Sequence, residues 1–176
     1  MSETSKEHKK TAPRQVNFAI VTVSTSRYAK NESGQTYTDA SADLASNLLK
    51  AAGHFVLSKR LVSDDLPMIR SSLTQLVEDP QIQAILTFGG TGVTPTDVTI
   101  ESVLPLIEKE LPGFGEIFRR LSYDQIGTAA ILTRCTAGLI RGKCVFCIPG
   151  SPQAVETALT TLIIPEIGHV LAHARG

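Results

Sequence analysis

Ala84-Ile-Leu-Thr-Phe-Gly-Gly-Thr-Gly-Val-Thr-Pro-Thr-Asp-Val-Thr-Ile-Glu101 is the stretch on which the reading of the chain turns. An apolar run suited to a buried strand stops at Gly89, Gly90 and Gly92, then passes through Thr94, Pro95 and Asp97 into a helical pattern. That is a strand, a bare-backbone loop and a helix start. Without Cβ atoms the loop can take positive φ and bring its N–H groups close to a ligand, and the helix start favours negative charge. A phosphate suits such a site. The loop is neither G-x-x-x-x-G-K-[ST] nor G-x-G-x-x-G, and a purely structural tight turn is the alternative. Asp97 strengthens the ligand reading, because Mg²⁺ is commonly held by one or two carboxylates together with phosphate oxygens. Asp97 is equally suited to cap a helix.

Working outward, the 176 residues suffice for one domain with its own core: a tail over 1–14, expected to be disordered, and a single α/β domain over 15–176. Seventeen basic and seventeen acidic residues cancel, with no long run of either sign, which argues against nucleic acid and a membrane surface as partners. No apolar stretch is expected to approach the ~18 residues of a membrane span, and the start has no apolar leader segment, so a cytoplasmic protein is expected. Three cysteines argue against a secreted disulfide framework. Cys144 and Cys147 form a C-x-x-C, but within a strand-like run and without further zinc ligands nearby; small core residues are the favoured reading over redox or zinc chemistry.

Asn17 to Ser24 is the first predicted strand, followed by Thr25-Ser-Arg-Tyr28 and a loop over 29–37. Thr38 or Asp39 caps a helix that ends at Gly53; His54 to Val62 is the second strand, and Pro67 starts a helix that stops at Asp79-Pro80. Beyond the third strand, 82–88, helix is predicted over Thr99–Lys109 with a kink at Pro105, loop over Leu111–Gly115, helix over Glu116–Tyr123 and a short helix within 127–135. Leu139-Ile140 and Lys143–Ile148 read as a hairpin across Arg141-Gly142, and Gln153 to His173 as a long helix broken or kinked at Pro165. This alternation implies a three-layer fold: a mainly parallel open sheet with helices on both faces, binding ligands beyond the carboxyl ends of its strands. Ser24-Thr25-Ser26, Asp64-Asp65, Gly89–Asp97 and Pro149-Gly150-Ser151 should then meet on one rim.

Gly89–Thr99, Leu111-Pro-Gly-Phe-Gly115 and Pro149-Gly-Ser-Pro152, in that order, resemble the MoaB/MogA family of molybdenum cofactor biosynthesis proteins over roughly residues 15–172. The resemblance implies a molybdopterin-binding domain that transfers AMP from Mg-ATP to the terminal phosphate of molybdopterin, works as a homotrimer or homohexamer, and hands on to a molybdate-inserting protein. It further implies that the backbone of Gly89, Gly90 and Gly92 with the Thr91 hydroxyl holds phosphate, that Asp97 and Asp64 serve as functional carboxylates with Asp97 binding Mg²⁺ and Asp64 as a second candidate ligand, and that Ser151 contacts molybdopterin. Asp65 is the fallback for Asp64. Ser24, Ser26, Pro149 and Gly150 complete the candidate rim. Many relatives carry an Asp after the first strand's Ser-x-Ser where this chain has Arg27, so a non-catalytic molybdopterin-binding or scaffold member is the alternative, and a pyridine-nucleotide enzyme on a similar domain is a third reading.

Other residues admit two readings each. His169 and His173, at i and i+4, match metal-ligand spacing, but a solvated helix face is favoured. Arg119, Arg120 and Arg134 either reach phosphate or coat helices. Phe114, Phe118 and Tyr123 either line a pterin slot or serve core and interface.

Overall fold

A computed structural model of the chain describes residues 13–174, so the expected tail lies almost wholly outside the described residues. Its centre is a six-stranded sheet built from β1 (Asn17–Val23), β2 (Phe55–Val62), β3 (Ala84–Phe88), β4 (Lys109–Glu110), β5 (Thr136–Ile140) and β6 (Lys143–Ile148), in the order β2-β1-β3-β6-β5-β4. The pairs β1/β2, β1/β3 and β3/β6 are parallel; β5 and β4 add an antiparallel edge. The mixed, mostly parallel open sheet matches the expected class.

Side chains alternate across this sheet with period two, and each set feeds its own core. Phe18, Ile20, Leu86, Phe88, Phe146 and Ile148 pack with α2 (Ala40–Ala51), α5 (Pro112–Ile126), α6 (Pro152–Thr157) and α7 (Ile164–Ala174). Ala19, Val21, Val23, Ile85, Val145 and Cys147 pack with α3 (Leu66–Glu78) and α4 (Thr99–Val103) on the other face. Cys144 and Cys147, three apart on one strand, therefore fall in different cores. All three thiols are free and buried, and burial pushes Cys135 up to about 11 and the other two up to about 12, the opposite of a reactive thiolate.

Several expectations change. Thr25–Glu32 is a helix, α1, where a loop was expected over 29–37; Ser24 caps it by accepting the Arg27 N–H. The helix expected to run to Lys109 stops at Val103, tightens into a 3₁₀ turn at Leu104–Leu106 around Pro105, and gives way to β4. Leu111–Gly115 is not a loop: Pro112 takes the first helical position, and α5 runs through both glycines. The side chain of Arg119 lies against Gly115, where a Cβ would stand 2.9 Å from Nη1. Phe114 stacks on Phe118 (6.0 Å) and meets the edge of Phe146 (5.3 Å), placing these rings in the core, while Tyr123 is exposed. Gly127–Leu132 is 3₁₀ rather than α.

The expected hairpin is present, with Arg141 and Gly142 both at positive φ (48° and 74°) in the two-residue turn that parallels the strand twist. The terminal helix divides as Pro165 requires. Because Pro165 has no N–H to donate, the ladder widens into a π segment over Ala158–Ile163 between α6 and α7. The whole run Pro152–Ala174 is 23 residues, long and apolar enough by length and composition alone to cross a membrane, which corrects the expectation that no stretch approaches that length. Val155, Ala158, Leu159, Ile163, Ile167 and Leu171 of that run are buried in the core on this face of the sheet. On α7 His169 Nδ1 lies 3.0 Å from Glu166, and its Nε2 lies 3.1 Å from that of His173. Among the described residues there is no group of three or more His, Cys, Asp or Glu suited to hold a metal.

The starts of α2 and α3 are satisfied by side chains from the preceding loop. Asp39 accepts from Ala42 N at 3.1 Å, and Asp65 accepts from Met68 N at 2.9 Å, with Pro67 in the first turn of α3. Replacing Asp65 by Ala should cost about 1 kcal/mol in urea unfolding at unchanged m-value, the usual cost of a lost cap. An unchanged midpoint would show that α3 starts without it.

Candidate active site

All four parallel strands end at the same edge of the sheet. From β1 the chain first steps outward to β2 and then back past β1 to β3, so the crevice opens at the carboxyl ends of β1 and β3. The four polar stretches singled out in the sequence meet there. Thr25 N and Oγ1 donate to Asp64 Oδ2 at 2.8 and 2.9 Å, joining the ends of β1 and β2. Gly150, after β6, sits so close to Gly89 that a Cβ on it would stand 3.1 Å from the Gly89 Cα. Gly150 O accepts from Ser41 Oγ at 2.7 Å, and Ser151 caps α6 through Ala154 N at 3.3 Å.

The glycine loop owes its shape to two consecutive residues at positive φ, Gly89 (93°) and Gly90 (60°). A Cβ on Gly89 would run into the Val23 carbonyl oxygen; one on Gly90 would meet Thr99 Oγ1 and stand 2.6 Å from Asp64 Oδ1. Only glycine fits at either position. The carbonyls of the loop are then tied down from one side. Gly89 O accepts from Thr99 Oγ1 at 2.8 Å, Gly90 O from Thr99 N at 2.9 Å, and Gly92 O from Arg134 Nη1 at 2.7 Å.

No peptide bond here is cis. In a trans peptide the N–H points opposite to the C=O, so these three bonds turn the amides of Gly90, Thr91 and Val93 the other way. Among the described residues none of these three amides donates to a protein acceptor, whereas Gly89 N is bonded to Ile148 O. Three N–H groups turned away from tied carbonyls, along a loop leading to α4, outline a concavity of the kind from which backbone anion sites are built. Thr91 itself is buried, only 4% exposed.

Two carboxylates border this concavity. Asp64 Oδ2 is occupied by Thr25, while Oδ1 faces Gly90. Asp97 Oδ2 accepts from Thr94 N (2.9 Å) and Thr94 Oγ1 (2.6 Å), closing the turn 94–97, and lies where a Cβ on Gly92 would stand 2.7 Å away. Asp97 does not cap α4, whose cap position is Val98 with no side-chain bond. The Thr94 hydroxyl holds the Asp97 carboxyl below its ordinary pKa; burial opposes this, and the amides of Thr94 and Gly92 and the charge of Arg134 add to it. Asp65 is spent on the α3 cap, so of the two adjacent carboxylates Asp64 is the one at the rim.

The donor set suits a cation that arrives with phosphate. Mg²⁺ keeps several ligand positions for water and phosphate oxygens and takes one or two carboxylates from protein; Asp97 and Asp64 are the carboxylates at the rim, and a resident ion held by protein alone would need more.

Ser24 Oγ lies 3.4 Å from Ser26 Oγ at the first turn of α1, beside Thr25. Arg27 is 3.9 Å from Asp39, so its charge is shared with the residue that caps α2. Of the three arginines weighed as phosphate ligands, Arg120 pairs with Asp124 at the surface and Arg119 lies against Gly115 and Cys135. Arg134 reaches the loop, but its backbone rather than its concavity. Nothing near Arg134 in sequence marks it for this contact. Cavities of about 670 Å³ along the β2 edge and about 340 Å³ between α5 and α7 lie away from the rim.

The sequence model of the family described as "Probable molybdopterin binding domain" matches residues 19–169. "Molybdenum cofactor biosynthesis protein B" of Bacillus subtilis is 45% identical over 96% of this chain and 96% of its own length. A protein of Pyrococcus furiosus named "Molybdopterin adenylyltransferase" is 43% identical over 96% of this chain and 97% of its own. Among solved structures, the "tungsten cofactor synthesizing protein MoaB" of Pyrococcus furiosus superposes with a TM-score of 0.82 at 39% identity, covering 94% of this chain and all of that one.

Thr94→Val removes the hydroxyl that donates to Asp97 and leaves the Thr94 amide in place. The Asp97 pKa should rise toward the ordinary carboxylate range in a carboxyl-carbon NMR titration. An unmoved pKa would show that the hydroxyl does not set it.

Proposed function

The chain belongs to the molybdopterin-binding family of molybdenum cofactor biosynthesis proteins, and from that membership we infer that it is a molybdopterin adenylyltransferase with its reaction centre on the glycine rim. Molybdopterin and ATP are its substrates. The observation that carries the assignment of the rim is the set of three amides turned into the concavity by the tied carbonyls of Gly89, Gly90 and Gly92.

In adenylyl transfer an oxygen of the molybdopterin terminal phosphate forms a bond to the α-phosphorus of ATP. The bond from that phosphorus to the bridging oxygen breaks, and pyrophosphate leaves with the electron pair. No covalent enzyme intermediate is required, so the protein acts by alignment and by stabilising charge. The amides of Gly90, Thr91 and Val93 bind and orient phosphate oxygens without moving when charge develops on them. Mg²⁺, held by Asp97 with Asp64 as a second ligand, would supply further neutralisation. The Thr94 hydroxyl bond that holds Asp97 below the ordinary carboxylate range favours its charged form, the form that would take the ion. Ser24 and Ser26 at the start of α1, and Pro149, Gly150 and Ser151 at the start of α6, supply the neighbouring contacts to the two substrates.

Residues 15–176 form, in this reading, one molybdopterin-binding domain, supported by the single sheet that joins all six strands. We assign assembly as a homotrimer or homohexamer to its exposed apolar surface, which includes Ile117, Ile131 and Leu132 and the groove of Phe114, Leu162 and Val170. A molybdate-inserting protein takes the adenylylated product. Three free, buried thiols suit a cytoplasmic setting.

The test is to follow pyrophosphate release and adenylylated molybdopterin in the presence of ATP and Mg²⁺. Asp97→Asn should lower kcat about 100-fold or more, as loss of a principal charge-stabilising group does. Normal turnover by Asp97→Asn would remove Asp97 from the reaction, and molybdopterin binding without turnover by the unaltered protein would make this chain a carrier or scaffold.

A further inference from the structure

The glycine loop is bracketed from outside by two elements distant in sequence. Thr99, on α4, ties the carbonyls of Gly89 and Gly90. The carbonyl of Gly92 is tied by Arg134, which lies 42 positions further along, between the 3₁₀ segment and β5. Arg134 uses both ends of its fork: Nη1 donates to Gly92 O and Nη2 is paired with the carboxylate of Glu101, also on α4. Thr99 and Glu101 fix one side of the bracket and Arg134 closes it.

We propose that Arg134 is a positioning residue for nucleotidyl transfer: by holding the Gly92 carbonyl outward it aims the Val93 amide at the transferring phosphates, without itself touching substrate. This rests on the adenylyltransferase reading of the rim. Both guanidinium prongs are already engaged, and Glu101 neutralises the charge, so Arg134 is a poor anchor for an anion and a good one for a peptide group. Val93 is 62% exposed, and its peptide has no other tether among the described residues, whereas the Gly89 and Gly90 carbonyls have Thr99. A lysine cannot reproduce the paired contacts of Arg134, because one ammonium lacks the planar fork that spans two acceptors.

An exposed ion pair alone contributes little to folding. Arg134→Ala is therefore expected to shift the unfolding midpoint only slightly and to lower kcat roughly 100-fold, the scale of loss that a small misplacement of a reacting group produces, with the KM for ATP changed far less. Arg134→Lys should recover less than a tenth of the lost kcat, and Glu101→Gln, which keeps the Gly92 bond and loosens its support, should lose several-fold. Amide exchange in the full-length protein without ligand supplies a readout independent of activity. In Arg134→Ala the Thr94 and Thr99 amides, which donate to Asp97 and to Gly90, should exchange faster while the β3 amides keep their protection. Wild-type kcat or undisturbed exchange in Arg134→Ala would overturn the proposal, as would full recovery by Arg134→Lys, which would make charge rather than the fork the relevant property. Absence of turnover in the unaltered protein would instead defeat the adenylyltransferase reading, and the exchange measurement would still decide whether Arg134 holds the loop.

Discussion

Three carbonyl groups held outward shape everything at the rim. A peptide unit has one donor and one acceptor on opposite edges, so fixing the acceptors of Gly89, Gly90 and Gly92 fixes where the next donors point. The arrangement demands glycine at 89 and 90, where a Cβ would strike Val23, Thr99 or Asp64. It also demands the parallel sheet, because only strands ending at one edge bring Val23, Asp64, Gly89 and Gly150 within contact of one another. The fold is in this sense a frame for one short loop.

Neighbouring polar residues divide their tasks by a single position. Asp65 is committed to the first turn of α3, while Asp64 keeps one oxygen on Thr25 and turns the other to Gly90. Thr94 holds one oxygen of Asp97 by both hydroxyl and amide. Each rim carboxylate is thus oriented by a threonine before any ligand arrives, which lowers the cost of ordering it during binding. Preorganisation of this kind suits a reaction that needs alignment and charge stabilisation more than proton transfer.

Much of this was legible in the sequence because it is written locally. The continuous apolar runs of the buried strands, the glycine cluster, the Arg141-Gly142 turn and the cap read at Thr38 or Asp39 are each decided by a few adjacent residues. Readings failed where a distant contact overrode local preference. Pro112-Gly-Phe-Gly115 looked like a loop, yet Phe114 gains a place against Phe118 and Phe146, which offsets the cost of two glycines in α5. Thr25–Glu32 has no buried residue to supply a helical period, so its helix is set by Ser24 as cap and Asp64 at its first amide. The apolar length of Pro152–Ala174 was underestimated; the kink or division expected at Pro165 takes the form of a π segment between two α segments of one continuous helical run. Arg134 left no local mark at all, since its partners Gly92 and Glu101 are brought to it only by the folded sheet.

The most direct test of the central claim is an amide-resolved NMR titration of the protein with ATP and Mg²⁺. The amides of Gly90, Thr91 and Val93 should shift together and saturate at one concentration, while that of Gly89, bonded to Ile148, stays near its starting position. Saturation with those three amides unmoved, or with the largest shifts at another edge of the sheet, would contradict the phosphate cradle and the assignment of the reaction to this rim.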